Sequence, residues 1–361
     1  MHIHNEAINA VHQEFEIRLA DATDEELSEF LALVRWLVRL YESGYELGHP
    51  LFLVVDNSIL QDFKQGHKRG RAIRALAYIA LCRFIALWSD RKTCLALSPM
   101  AVYEAGGRKP ADSVAEAWER FEEAGQLLAE TELPVTGVRF TDPKMLYESL
   151  LDIHDDADYL AVFAAQIEEM DWRHDLRMGN LLRIPHSLAM EYIPGDMPLK
   201  YFNPFYVTDV FSSRIELRIA KQSAEIGNVK PVTAGSFSVA MDKLIKLEKK
   251  GALKGLGDLD LLQICDIRRQ YHQKQDYIFL GQTYDRGLAD VMNQHHVYSC
   301  SASAKGGEPD TDEQIRKMVQ LMFSKPFQEI DRTREQIQPR SKEFLGCIFD
   351  VCANLSRRRQ G

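Results

Sequence analysis

The sequence predicts an α/β fold: a parallel sheet with helices on both faces, a mostly α-helical insertion and helical termini. Three observations predict it. Two short continuous apolar runs, at 51–55 and 93–97, have the length and the aliphatic, β-branched or aromatic content of strands buried on both faces. Helical periodicity separates these runs and returns after the second, which is the order of a parallel βαβ unit. Two further runs, at 277–280 and 296–299, surround a helix at 287–293 and restore the same rhythm after a long helical stretch.

Each element has a local cause. Over 23–44, Leu27, Phe30, Leu31, Val34, Leu37, Val38 and Tyr41 recur at threes and fours behind Thr23-Asp24-Glu25-Glu26, which has capping-box spacing. Gly48-His49-Pro50 closes off that helix before the first strand. The stretch 70–89 is helical and nearly all apolar apart from its arginines, and Pro99 opens a helix at 99–105. Amphipathic stretches at 112–132, 142–177, 207–225 and 237–250 predict a mostly helical region, divided by clusters such as Ile193-Pro194-Gly195-Asp196-Met197-Pro198. An apolar helix at 258–269 follows the link 251–257. A polar joint at 301–310 precedes the last helices, at 311–356, and the tail Arg357-Arg358-Arg359. The expected organisation is a helical segment over 1–49, a core in two halves over 50–110 and 252–305, an insertion over 111–251, and a C-terminal helical segment over 306–361. The insertion is expected to control access or partner choice and to be replaceable by a short linker.

Composition narrows the class. At 361 residues, 45% hydrophobic and 27% charged, the chain is neither disordered nor fibrous. The longest apolar stretch, 72–87, carries Arg74 and Arg83, short of the roughly eighteen uninterrupted residues of a bilayer span, so no membrane partner is expected. The first residues lack a basic-then-apolar leader, so the expected location is cytoplasmic. Six cysteines without a Cys-x-x-Cys pair fit packed, reduced thiols. A net charge of −9 disfavours a simple coat of nucleic acid, so a nucleic-acid site must be local.

Carboxylates stand where a parallel sheet builds its sites. Asp56-Asn57-Ser58 follows the first strand directly, although the same residues also form turns and helix caps. Glu104 lies beyond the second strand. Asp258 and Asp260 open a later helix, and Thr283-Tyr284-Asp285 follows the 277–280 strand. Four acids at one edge repel one another unless a cation sits among them, and Mg²⁺ or Mn²⁺ selects such oxygen ligands. The combination points to phosphodiester hydrolysis.

In their order relative to the strands, these motifs resemble the PIN-domain nucleases, metal-dependent ribonucleases. The likeness covers about 51–109 and about 256–301. It implies a PIN-like core in which Asp56, Glu104, Asp260 and Asp285 are both metal ligands and catalytic residues, supported by Ser58 and Thr283 through hydrogen bonds. The sequence between Glu104 and Asp260 is far longer than in a typical member, which leaves Asp258, Asp266 and Asp290 as substitutes for Asp260. The activity implied is that of an endonuclease acting on RNA with Mg²⁺ or Mn²⁺ as cofactor.

Basic residues follow each acid despite the negative total: Lys64, His67, Lys68, Arg69, Arg71 and Arg74, then Arg108 and Lys109, then Arg268, Arg269 and Lys274. Of these, Lys68, Arg69, Arg71, Arg74, Arg268 and Arg269 are the expected phosphate contacts, with single-stranded RNA as the partner. A regulatory protein or a second copy of the chain is a further partner class, as in a toxin-like or defence nuclease. The alternative is a non-catalytic PIN-like module that contacts a protein through its helical surfaces. His154-Asp155-Asp156 and His295-His296 read as structural, and no Gly-x-x-x-x-Gly-Lys or His-Glu-x-x-His motif occurs.

Overall fold

The computed structural model describes the chain apart from residues 1, 46–49, 69, 90–91, 182–183, 185, 228–230, 248–252, 267–268, 271–275, 286, 290, 293–326 and 361. Its strands are β1 (Leu51–Val55), β2 (Thr93–Leu97), β3 (Val135–Gly137), the two-residue pair β4 (Lys246–Leu247) and β5 (Leu253–Lys254), and β6 (Ile278–Gln282). Its helices are α1 (His2–Arg18), α2 (Asp24–Tyr45), α3 (Asn57–Lys64), α4 (Arg71–Trp88), α5 (Pro99–Ala105), α6 (Val114–Leu127), α7 (Pro143–Glu169), α8 (Arg173–Arg177), α9 (His186–Ala189), α10 (Pro204–Ile226), α11 (Ser236–Met241), α12 (Leu256–Ile264) and α13 (Phe327–Gln360). No helix among the described residues is long and apolar enough to cross a membrane.

The expected α/β class is the observed one. Four strands pair in parallel in the order β3-β2-β1-β6. Alternation along the strands sends successive side chains to opposite faces. Leu51, Leu53, Val55, Leu95, Leu97 and Ile278 share a core with residues of α1, α2, α4 and α13. Val54 and Ala96 share the other core with α5, α7, α10 and α12. The two chain termini are thus one covering layer: α1, α2 and α13 pack on one another and on α4. Thr23 and Glu26 form the reciprocal cap that opens α2, each receiving from the other's backbone N–H.

Two expectations change. The stretch 111–251 is mostly helical as expected, but it also supplies β3, which extends the core sheet beside β2. Three residues ending in glycine are too few for a strand periodicity to register in sequence. The helix expected over 237–250 ends at Met241, and Lys246 and Leu247 pair antiparallel with Lys254 and Leu253. The expected strand at 296–299 and the joint at 301–310 lie outside the described residues.

Strand order locates the crevice. The chain builds from β1 through β2 to β3 in one direction, then returns to place β6 on the opposite side of β1. Ligand sites of open parallel sheets form at the carboxyl ends of strands where that direction reverses. Here the reversal lies between β1 and β6. The Asp56 N–H donates to the Gln282 carbonyl at 3.1 Å, fastening the two strands just past their ladder.

Candidate active site

Asp56 follows β1 at the N-cap position of α3 with extended backbone, yet its side chain makes no capping hydrogen bond. Its Oδ2 instead accepts from two hydroxyls, Ser58 at 2.5 Å and Thr283 at 3.0 Å. The Thr283 hydroxyl oxygen in turn accepts from the Asp285 N–H at 3.0 Å. One threonine therefore registers the loop after β6 against the end of β1. Asp285 is exposed, and its Oδ1 caps the next turn by accepting from the Gly287 and Leu288 N–H groups. Burial pushes the Asp56 carboxyl above its ordinary range, the two hydroxyls pull it back, and the Asp285 charge adds to the rise.

Glu104 reaches the same place from α5, whose start is set by the Ser98 cap and Pro99. Its side chain is largely buried and pairs with Arg108 at 2.9 Å. Burial raises its carboxyl, Arg108 lowers it, the Asp56 charge raises it, and the Asn57 side chain bonds to it. The motif after β1 is thereby divided: Asp56 enters the cluster, Asn57 steadies Glu104 and Ser58 steadies Asp56.

The fourth acid comes from the tip of α12. Gly255, with φ of 93°, lies so close to the Leu244 carbonyl that a Cβ there would stand 1.6 Å from its oxygen. A Cβ on Gly257 would stand 2.9 Å from Glu104 Oε2. Two glycines thus let this helix tip approach, and the residue delivered is Asp258. Its carboxyl is pushed up to about 8, first by burial and then by the charges of Asp56, Asp285 and Glu104, with Lys246 opposing. Lys246 belongs to the region expected to stay out of the chemistry.

Asp260 stands apart from these acids. It is buried and accepts at Oδ1 from the Tyr201 hydroxyl (2.9 Å), Gln263 (2.8 Å) and Arg139 (3.3 Å). The Arg139 guanidinium also lies 4.0 Å above the Tyr201 ring and donates to the Tyr201 carbonyl. Two residues along a helix separate side chains by about 200° around its axis, so Asp258 and Asp260 cannot share a face. The structure therefore gathers Asp56, Glu104, Asp258 and Asp285, and puts Asp260 in an ion pair behind them. Asp266 is likewise buried, accepting from the Tyr206 hydroxyl at 2.6 Å. Asp290 lies outside the described residues.

The basic rim divides too. Lys68 is exposed and donates to Gln65. Arg71 and Arg74 both close on Asp62. Arg69 and Arg268 lie outside the described residues. Arg269 is partly buried beside Gln270, whose amide bonds both backbone groups of Phe279, the second residue of β6, so it lies toward the amino end of that strand and not its carboxyl end.

The site offers carboxylate and hydroxyl oxygens, the donors that hard divalent ions prefer. Among the described residues no three His, Cys, Asp or Glu side chains are closed together tightly enough to hold an ion. Mg²⁺ does not require such a cage, because it keeps several waters and takes one or two carboxylates. No protein-family model, curated protein or solved structure matches the chain.

Proposed function

We propose that this chain is a divalent-metal-dependent endonuclease that hydrolyses phosphodiester bonds in single-stranded RNA, with a PIN-like core. One observation carries the reading: Asp56, Glu104, Asp258 and Asp285, from four separate segments, lie near enough at the switch of strand direction for like charge to act on like. A cation relieves that repulsion. Mg²⁺ or Mn²⁺ held there by Asp56, Glu104, Asp258 and Asp285 would activate water for attack on phosphorus and offset charge growing on the phosphate. The chain's own residues do the rest. Ser58 and Thr283 orient Asp56, Asn57 orients Glu104, and Asp258 would take a cation as the carboxylate, its proton passing to solvent. Arg108 and Lys246, beside the acids, are the nearby cations for an incoming phosphate.

The test is cleavage of labelled single-stranded RNA in Mg²⁺ or Mn²⁺, with single-stranded DNA in parallel. Asp56→Asn, Asp258→Asn and Asp285→Asn are each expected to slow cleavage by more than about 100-fold while the fold is kept. Mn²⁺ is expected to raise the melting temperature of the parent and not of these variants. A second reading, a non-catalytic module, takes its support from the unclosed ligand set. A parent whose melting ignores Mn²⁺ and which cuts no RNA would decide for that second reading.

A further inference from the structure

A second charged cluster adjoins the acids. Asp62, on α3, is fully buried, and two guanidiniums close on it: Arg71 Nη1 is 2.6 Å from Oδ1 and Arg74 Nε is 3.4 Å from Oδ2. Neutralising one carboxylate takes one guanidinium. The second leaves a surplus positive charge, and both arginine side chains are about a third exposed, at 35% and 33%. Each presents a planar fork of donors; Asp62 accepts one hydrogen bond from Arg71 and stands within ion-pair distance of Arg74 without a hydrogen bond to it.

This cluster is built into the same edge as the acids. The Arg74 guanidinium lies 5.2 Å above the Tyr284 ring, and the Tyr284 hydroxyl donates to the Arg74 carbonyl. Tyr284 stands between Thr283, which holds Asp56, and Asp285. The first turn of α4 is therefore tied to the loop that builds the crevice, and the Asp62 and Asp56 charges act on each other.

We propose that Asp62 is a positioning residue that fixes Arg71 and Arg74 as a rigid pair beside Asp56, where they take a phosphate of the RNA strand next to the one reaching the acids. The proposal rests on the nuclease reading above. It makes a prediction opposite in sign to that of simple charge. Asp62→Asn removes a negative charge near the strand, so if Asp62 were a bystander, RNA would bind more tightly. If Asp62 orients the pair, binding weakens although the charge balance has improved.

The experiment is fluorescence anisotropy of labelled single-stranded RNA in EDTA across a salt series, with circular dichroism as a fold check. Asp62→Asn is expected to weaken binding about tenfold with the slope of log affinity on log salt unchanged, since both guanidiniums stay charged. In cleavage assays KM is expected to rise by more than kcat falls. Unchanged or tighter binding by folded Asp62→Asn overturns the proposal, as does a parent that binds no RNA. Should Asp62→Asn not fold, the double variant Arg71→Lys with Arg74→Lys decides, because it keeps the charge and loses the planar forks. The same tenfold loss supports the pair, and parent-like affinity overturns it. Because the binding is measured without metal, a missing Mn²⁺ shift counts against the nuclease reading and not against the pair.

Discussion

Asp258 and Asp260, two residues apart, have opposite chemistry because of what each meets. Asp258 meets three carboxylates and one lysine, whereas Asp260 meets a guanidinium, a phenol and an amide. Stability should report the difference. Burial and the neighbouring carboxylates push the Asp258 carboxyl up to about 8 in the folded chain, against 3.8 for an unperturbed aspartate. Between those pH values the folded state holds the extra proton, so this group's contribution to stability falls as pH rises from about 4 to about 8. Asp258→Asn removes that slope and is expected to raise the metal-free melting temperature at pH 8 by about 2 °C or more. Thermal melts of parent and variant across that range check it, and parallel curves would overturn it. Asp260→Asn breaks a buried pair and is expected to cost about 3–5 kcal/mol without altering the Mn²⁺ response of whatever folds. The sequence placed both acids at the right helix, but its choice of Asp260, with Asp258 as a substitute, fell on the acid that is paired away from the others. Leu256, Leu259, Leu261, Leu262 and Ile264 are all buried, so α12 has no polar face from which its rotation could be read.

At the scale of elements, what sets the rotation of α12 is the pair of glycines before Asp258. At Gly255 a Cβ meets backbone at 1.6 Å and φ is positive, so Gly255→Ala has no room and is expected to dislodge the helix tip. At Gly257 the atom met is the far end of the Glu104 side chain, 2.9 Å away, which can swing aside. Gly257→Ala is therefore expected to fold with a melting temperature within about 2 °C of the parent but to bind Mn²⁺ roughly tenfold more weakly, since Glu104 is displaced. Calorimetric Mn²⁺ titration of the two variants separates these outcomes. Parent-like affinity in Gly257→Ala would mean that Glu104 is no ligand. Elements with continuous apolar runs were legible: β1, β2 and α5 fall where 51–55, 93–97 and 99–105 were read. β3 was not, because three partly buried residues on an edge carry too little pattern.

Over the whole molecule, the region 143–251 is a wall of the fold more than an appendage. Leu256, Leu259 and Leu262 of α12 share one core with Ile153, Phe163, Phe211 and Ile219 of that region. The Tyr201 hydroxyl and carbonyl hold Asp260 and Arg139 in place behind the crevice. Local amphipathicity marked these helices as packed on one face but carried no information about which surface they pack against, hence the expectation of a replaceable insertion. Stripping them away exposes several large apolar side chains at about 1.5–3 kcal/mol each, comparable with a net stability of about 5–15 kcal/mol. Replacing 143–251 by a short Gly/Ser linker is therefore expected to abolish cooperative unfolding, as followed by circular dichroism. A milder variant tests the same dependence without removing a wall. Tyr201→Phe leaves Asp260 short of one buried hydrogen bond while Arg139 keeps the backbone carbonyl, and is expected to cost about 1–3 kcal/mol, with Mn²⁺ affinity close to the parent's. A linker variant that melts cooperatively and shifts with Mn²⁺ as the parent does would make the region a separable domain, and the layer it forms on the sheet would then be dispensable for folding.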